Sequence, residues 1–357
     1  MLSNLLKEKT HLLDCTLRDG SYEIDFQFTE LQTERLCRQL EEANFRFIEI
    51  GHGVGLGASQ SNMGVAAASD LAYMKSASAG CRKSYWGMFC IPGVASLDDI
   101  SLAADQGMDF IRIGSNIAEY ESTRSYIRHA KEKGLLVCSN FMKSYAAPTQ
   151  HFAEAADRVS EYGSDLVYIV DSAGGMLPHE IENFAHATRE KNPDLLLGFH
   201  GHNNLGMSVA NSLKAIELGF SLIDTSVAGM GRSAGNTPAE HLLSVLQRMG
   251  TPMDIDILKV LDIYESSIHE LCKRKIDPID TISGLALFHS SYLPKIIRYS
   301  SEYNLDPRAL ILALCDINKT DAPDELLLQL AQQLPARETP PRWNSLYKTS
   351  NIDEQSR

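Results

Sequence analysis

Short apolar runs recur along this chain, each followed by turn residues and then by a longer stretch with helical spacing. The runs HLLDCTL, RFIEIGH, YWGMFCI, FIRIGS, LLVCSNF, LVYIVDS, LLLGFHGH and LIDTSVAG begin near residues 11, 46, 85, 110, 135, 166, 195 and 222. Apolar runs of this length, bounded by Gly, Asn and Asp, predict strands, and the amphipathic stretches between them predict helices. Eight such units without a break in composition predict a closed (β/α)8 TIM barrel rather than an open doubly wound sheet. Farther on, VLDIYESSI, LALFHSSYLPKIIRYS and ALILALCDI carry helical periodicity. The expected organisation is a barrel over residues 1–254, a helical C-terminal region over 255–335 and a polar, proline-containing mobile tail over 336–357.

Composition narrows the class. A net charge of -13 with scattered Lys and Arg argues against a nucleic-acid surface. No apolar run is long enough for a spanning helix, and MLSNLLKEKTHLL lacks the apolar core and cleavage site of a secretory signal. Cysteines 15, 37, 81, 90, 138, 272 and 315 lack CxxC spacing, so neither a disulfide framework nor a zinc ribbon is expected. The expectation is a cytoplasmic protein with no nucleic-acid or membrane partner.

The chemistry gathers at the ends of the apolar runs, where a TIM barrel carries its site. His200 and His202 are separated by one residue, and on a strand residues i and i+2 face the same way, so both imidazoles can reach one divalent metal. Arg18 and Asp19 end the first run; strict alternation would put them on opposite faces, so at least one must sit where strand gives way to loop. Two imidazoles and one carboxylate suit an octahedral metal with open positions. Glu49, His52, Asn140, Asp171, Ser172, Asp224 and Ser226 lie at corresponding places.

Two glycine-rich stretches have competing readings. Gly53, Gly55 and Ala58 form a GxGxxA pattern, but it follows the second strand, where a dinucleotide fingerprint does not belong, so a βα loop over the barrel mouth is expected. In VAGMGRSAGNTPAEHLL, Thr237, Pro238 and Glu240 have capping-box spacing, and the free N–H groups there, with Arg232, could hold an anion.

Through LLDCTLRDG, VYIVDSAGGM, GFHGHNNLGMSVANSLKAIELG and IDTSVAGMGRSAGNTPAE, the chain resembles the 4-hydroxy-2-oxovalerate aldolases. These are metal-dependent pyruvate aldolases of the wider group that includes 3-hydroxy-3-methylglutaryl-CoA lyase, isopropylmalate synthase and homocitrate synthase. The resemblance implies Asp19, His200 and His202 as metal ligands, with Asn236 a further candidate and Mn2+ or Mg2+ the ion. It implies that Arg18 contacts the enolate oxygen and that Ser172 helps hold the 2-oxo acid.

The chain departs from that family at two positions. Tyr22 stands where the aldolases carry a histidine base, and His289 stands where they carry a tyrosine. An ordinary tyrosine is a poor base at neutral pH, so His289 or His52 is expected to accept the proton and Tyr22 to position the substrate hydroxyl. A different reading of His289 is that it packs or caps within the C-terminal helices.

The implied reaction joins or splits pyruvate and an aldehyde. A homodimer is expected, and the resemblance implies an acylating aldehyde dehydrogenase as a partner of the C-terminal helices. Other readings are a Claisen-type acyltransferase using acetyl-CoA, an inactive barrel kept as a binding subunit and, more remotely, a non-haem iron oxygenase.

Overall fold

A computed structural model describes residues 2–272 and 278–335; the expected tail over 336–357 lies outside the described residues. Eight parallel strands close into a barrel in sequence order, with the last strand pairing with the first. They are β1 (His11–Asp14), β2 (Phe47–Glu49), β3 (Tyr85–Cys90), β4 (Phe110–Asn116), β5 (Leu136–Met142), β6 (Leu166–Asp171), β7 (Leu196–Gly201) and β8 (Leu222–Thr225).

Helix α1 (Leu2–Glu8) precedes the first strand, and α2 (Glu30–Glu42), α3 (Asp70–Gly80), α4 (Leu97–Asp105), α5 (Arg124–Glu132), α6 (Thr149–Tyr162), α7 (Pro178–Lys191), α8 (Ser208–Glu217) and α9 (Ala239–Arg248) follow successive strands. Beyond them lie α10 (Ile257–Ile263), α11 (Pro278–Ala286), α12 (Leu293–Glu302), α13 (Pro307–Ile317) and α14 (Asp324–Gln333).

Strand periodicity explains how one barrel holds both a dry core and a polar site. Leu13, Phe47, Phe110, Leu136, Leu166 and Leu222 form an apolar cluster that α1 joins through Leu6. The alternate set, including Leu12, Ile48, Ile111, Val137, Val167, Leu197 and Ile223, packs in a second cluster with residues of the surrounding helices. Two residues beyond inward Phe47 comes Glu49; two beyond Phe110 comes Arg112, and two beyond Leu222 comes Asp224, so the same parity that fills the floor aims charged groups into the upper layer. Tyr168 occupies the space beside Gly198, where an added Cβ would lie 2.8 Å from the tyrosine ring.

The C-terminal helices have their own core, built on Phe288, Ile296, Leu310, Ile311, Leu314 and Leu327. This core reaches the C-terminal ends of the strands. Lys143, just past β5, donates from Nζ to the Tyr292 hydroxyl and to the Thr320 carbonyl. Asn204, past β7, donates to the Asp280 carbonyl at 3.1 Å. Gly284 of α11 approaches Gly175 so closely that a Cβ on Gly175 would lie 2.1 Å from the Gly284 carbonyl oxygen.

The capping box expected at Thr237 does not form. Helix α9 begins at Ala239 with Pro238 as its N-cap residue and no side-chain cap. The Thr237 hydroxyl lies 3.0 Å from that of Ser212 in α8, and Glu240 accepts the Ala228 N–H at 3.1 Å instead. Burial against α8 thus takes the hydroxyl that exposed spacing would have assigned to a cap. The Gly53–Ala58 pattern lies in the β2–α3 connection, where Gly55 has φ 110° and a Cβ would lie 2.3 Å from the Phe89 carbonyl oxygen.

Candidate active site

A cavity at the C-terminal end of the barrel is lined by Arg18, Asp19, Tyr22, Gly53, Asn140, Ser172, His200, His202 and Arg232, with Phe89, Met142 and Val170 among its apolar walls. Arg18 and Asp19 both lie past β1, in the turn where the 3-10 helix Asp19–Ile24 starts. His200 is the penultimate residue of β7, and His202 follows just beyond the strand, held by a backbone bridge to Asn236. Their rings stand 5.0 Å apart at 89°.

Each imidazole has one nitrogen anchored. His200 Nδ1 lies 2.8 Å from Asp224 Oδ2, and His202 Nδ1 lies 3.3 Å from the Gly235 carbonyl. A carbonyl can only accept, so His202 carries its proton on Nδ1 and presents the Nε2 lone pair; a carboxylate fixes His200 in the same way. Burial above all lowers the His202 pKa to about 3, so it is neutral at physiological pH. Burial alone would raise the Asp19 pKa, but the Arg18 guanidinium, with His202, His200 and Arg232, holds it below the ordinary carboxylate range.

Among the described residues two groups bring ligand atoms within 4.8 Å of one another: Asp19, His200 and His202, and Cys15, His200 and Asp224. The second is the poorer ligand set. Burial pushes the Cys15 thiol well above its usual pKa, and its Sγ lies 3.3 Å from the Thr225 carbonyl, the contact of a protonated thiol. The first set offers an ionised carboxylate, the neutral His202 imidazole and His200 with its Nδ1 engaged by Asp224, which fits a divalent cation. Asn236 adds an observation of its own. Its Nδ2 donates to the Met230 carbonyl at 2.8 Å, while its Oδ1 is buried without a hydrogen-bond partner beside His202.

A buried chain of charges joins two members of that set. Asp19 Oδ1 receives Arg18 Nη1 at 2.6 Å, and Arg18 Nε donates to Glu49 Oε2 at 2.7 Å. Arg112 Nη1 donates to the same Glu49 oxygen at 2.8 Å, and its Nη2 donates to Asp224 Oδ2 at 2.5 Å. Arg112 is fully buried and its guanidinium lies over the Tyr168 ring, 4.3 Å from its centroid. Three carboxylates thus share two guanidiniums along this chain of contacts.

The remaining predicted residues separate. Ser172 lines the cavity, and its hydroxyl accepts the Lys143 N–H at 3.0 Å. Tyr22 lies at the cavity with the Arg232 guanidinium 5.7 Å from its ring centroid, and burial raises its pKa. His289 comes in from the C-terminal helices: its Nε2 lies 2.9 Å from Arg232 Nη2, and its Nδ1 lies 2.6 Å from the Ser291 hydroxyl. It also caps the turn Ser290–Tyr292, so packing and proximity to the site coexist in one residue. Burial, with Arg232 and Lys143 nearby, lowers its pKa well below the usual value.

His52 is not brought to the cavity lining. It stacks on Phe26 at 3.9 Å, accepts the Val54 N–H on Nδ1 and contacts the Gly64 carbonyl through Nε2. Both ring nitrogens are spent on the β2–α3 connection.

Residues 9–266 match the HMGL-like family. The chain belongs to that family. A 4-hydroxy-2-oxovalerate aldolase of Bacillus cereus is 34% identical to this HMGL-like chain over 325 residues, covering 90% of this chain and 95% of that protein. One from Moorella thermoacetica is 34% identical over 326 residues, covering 91% and 96%.

Among solved structures, the carboxyl transferase domain of Rhizobium etli pyruvate carboxylase matches with a TM-score of 0.76 at 16% identity, covering 96% of this chain and 65% of that one. The HMG-CoA lyase of Bacillus subtilis matches with 0.66 at 15% identity, covering 77% and 98%. At these identities the structural likeness speaks for the fold.

Two contributors escape a reading of the HMGL-like sequence alone. Arg112 stands in the middle of an apolar run, and the only signal was its inward parity with Phe110. Lys143 follows β5 with nothing to announce its burial or its partners in the C-terminal core.

Proposed function

We propose that this chain is a divalent-metal-dependent aldolase that cleaves or forms a 4-hydroxy-2-oxo acid, exchanging it with pyruvate and an aldehyde. The observation that carries the reading is the convergence of Asp19, His200 and His202 beside Arg18 at one cavity. These three residues would hold the ion, Mn2+ or Mg2+, with Asn236 Oδ1 as a further donor. The ion when bound supplies Lewis-acid stabilisation of negative charge on the oxygens of the 2-oxo acid.

The residues of the chain do the rest. Arg18, fixed by Asp19 and Glu49, presents a guanidinium to the oxygen on which enolate charge develops, with little reorganisation needed. Ser172 holds the 2-oxo acid from the β6 side. In cleavage the 4-hydroxyl loses its proton, the C3–C4 electron pair passes to C3, C4 leaves as the aldehyde carbon, and C3 takes up a proton to complete pyruvate.

The proton acceptor is assigned to His289 rather than His52. His289 is neutral; with its Nδ1–H given to the Ser291 hydroxyl, its Nε2 accepts an N–H of Arg232, a contact that substrate displaces before Nε2 takes the proton. Tyr22, with its pKa raised, stays protonated and acts as a donor that positions the substrate hydroxyl.

A homodimer, an acylating aldehyde dehydrogenase as partner and a cytoplasmic location belong to the same proposal; gel filtration with and without a dehydrogenase tests the first two. Among the described residues no helix is long and apolar enough to cross a membrane. The reaction itself is tested with a panel of 4-hydroxy-2-oxo acids assayed for pyruvate release with Mn2+ and with chelator. Release that requires the metal is expected; no metal-dependent pyruvate signal from any member contradicts the proposal.

A further inference from the structure

The cavity holds two guanidiniums in different circumstances. Arg18 is neutralised on both sides by Asp19 and Glu49. Arg232 forms no ion pair among the described residues. One of its N–H groups goes to His289, and its buried Nε has no hydrogen-bond partner. The nearby Lys143 ammonium adds no negative charge and is directed to uncharged partners, the Tyr292 hydroxyl and the Thr320 carbonyl. The Asp19 carboxylate touches only the Arg232 backbone, at 3.4 Å, and its other oxygen is taken by Arg18. A guanidinium with an unused donor at a cavity wall is costly to keep unless an anion completes it.

Its position says which part of the substrate that anion belongs to. Arg232 lies between Tyr22 and His289, the two residues to which the proposed reaction assigns the 4-hydroxyl. The 2-oxo acid end is served by the ligand set, Arg18 and Ser172. What extends beyond the 4-hydroxyl carbon is the substituent contributed by the aldehyde.

We infer that the aldehyde taken by this site is itself an anion, with Arg232 binding its charged group. The inference rests on the aldolase reading and deepens it by naming the acceptor class. In the synthetic direction the pyruvate methyl carbon loses a proton and bonds to the aldehyde carbon, whose oxygen takes a proton to become the 4-hydroxyl; the anionic group is unchanged. A planar guanidinium suits carboxylate or phosphate, so the test has an arm for each.

The experiment measures condensation with pyruvate by the wild-type chain for matched aldehyde pairs: glyoxylate against acetaldehyde, succinic semialdehyde against butanal, and glyceraldehyde 3-phosphate against glyceraldehyde. At least one anionic member should exceed its neutral counterpart in kcat/KM by about tenfold or more, the scale of one charge-assisted hydrogen bond. The pair showing the preference identifies carboxylate or phosphate. Arg232→Met should abolish the ratio through KM for the aldehyde, and Arg232→Lys should keep part of it.

Equal use of charged and neutral aldehydes by the wild type overturns the inference. So does an Arg232→Met enzyme whose aldehyde ratio is unchanged while KM for pyruvate rises, which would place Arg232 at the 2-oxo acid. Metal-dependent deuterium uptake into the pyruvate methyl group, run without aldehyde, separates the two levels. If uptake is absent the aldolase reading fails and this inference with it; if uptake is present, the aldehyde ratios judge the inference alone.

Discussion

Asp224 grips His200: its Oδ2 lies 2.8 Å from His200 Nδ1, and the same oxygen receives Arg112 Nη2 at 2.5 Å. Although burial opposes ionisation, Arg112 and His200 hold the Asp224 pKa below its usual value, so the carboxylate is available to fix the imidazole with Nε2 free. Asp224→Asn should therefore weaken metal binding by about 10- to 100-fold, the usual loss when the partner of a ligating histidine is removed. Calorimetric titration with Mn2+ checks this, and unchanged affinity would mean that His200 needs no such support.

Arg112 serves two carboxylates from a position with no access to water. Removing one partner from a buried ion pair leaves uncompensated charge and typically costs about 3–5 kcal/mol. Arg112→Met should destabilise the metal-free protein by that order, read as a lowered midpoint in urea unfolding. A midpoint within error of wild type would show that Glu49 and Asp224 accommodate each other without it.

Proton transfer is assigned to His289 and hydroxyl positioning to Tyr22. His289→Ala should lower kcat by about 100- to 10,000-fold, the span of general acid–base catalysis, and Tyr22→Phe should cost less. The folded His289 pKa is depressed, so the neutral, accepting form persists below pH 6.5. With metal saturating, any acid limb due to this residue lies below that value. His52→Gln should leave the pH profile in place, because both His52 nitrogens bind the β2–α3 connection. Near wild-type turnover in His289→Ala, with activity abolished in Tyr22→Phe, would reverse the assignment.

Lys143 ties the C-terminal core to the barrel, and burial lowers its pKa to about 8 from an ordinary 10.5. Between those values the unfolded chain binds more protons at this residue than the folded one, so its contribution to stability rises with pH. The penalty for charging it in the fold is fully present below pH 8 and relieved above 10.5. The stability of wild type relative to Lys143→Met should climb across that window in urea unfolding series. A flat or falling difference would contradict the burial of a charged Lys143.

The barrel was legible because each strand is a short apolar run with its own turn signals, and local patterning suffices to find it. That Asp19, His200 and His202 come together was legible for a related reason: period two carries His200 and His202 toward the same side, and the first apolar run ends just before Arg18 and Asp19. The Arg112 network was not legible, since its partners lie 63 and 112 positions away and only barrel closure brings them together. His52 drew attention by following β2, yet a loop residue is free to turn back, and stacking on Phe26 takes it from the site. At Thr237 tertiary burial overrode a local capping pattern. Arg232 was legible only as an anion-binding aid to a helix terminus; its place between Tyr22 and His289 depends on the C-terminal core docking across the mouth.

The most direct test of the aldolase account is hydrogen exchange at the methyl group of pyruvate in deuterated water, followed by mass spectrometry with Mn2+, with Mg2+ and with chelator. The account predicts enzyme-dependent deuterium uptake with either ion, loss of uptake on chelation, and loss in Asp19→Ala and in His202→Ala. Uptake that survives chelation, or none at all in the metal-loaded wild-type protein, would contradict it.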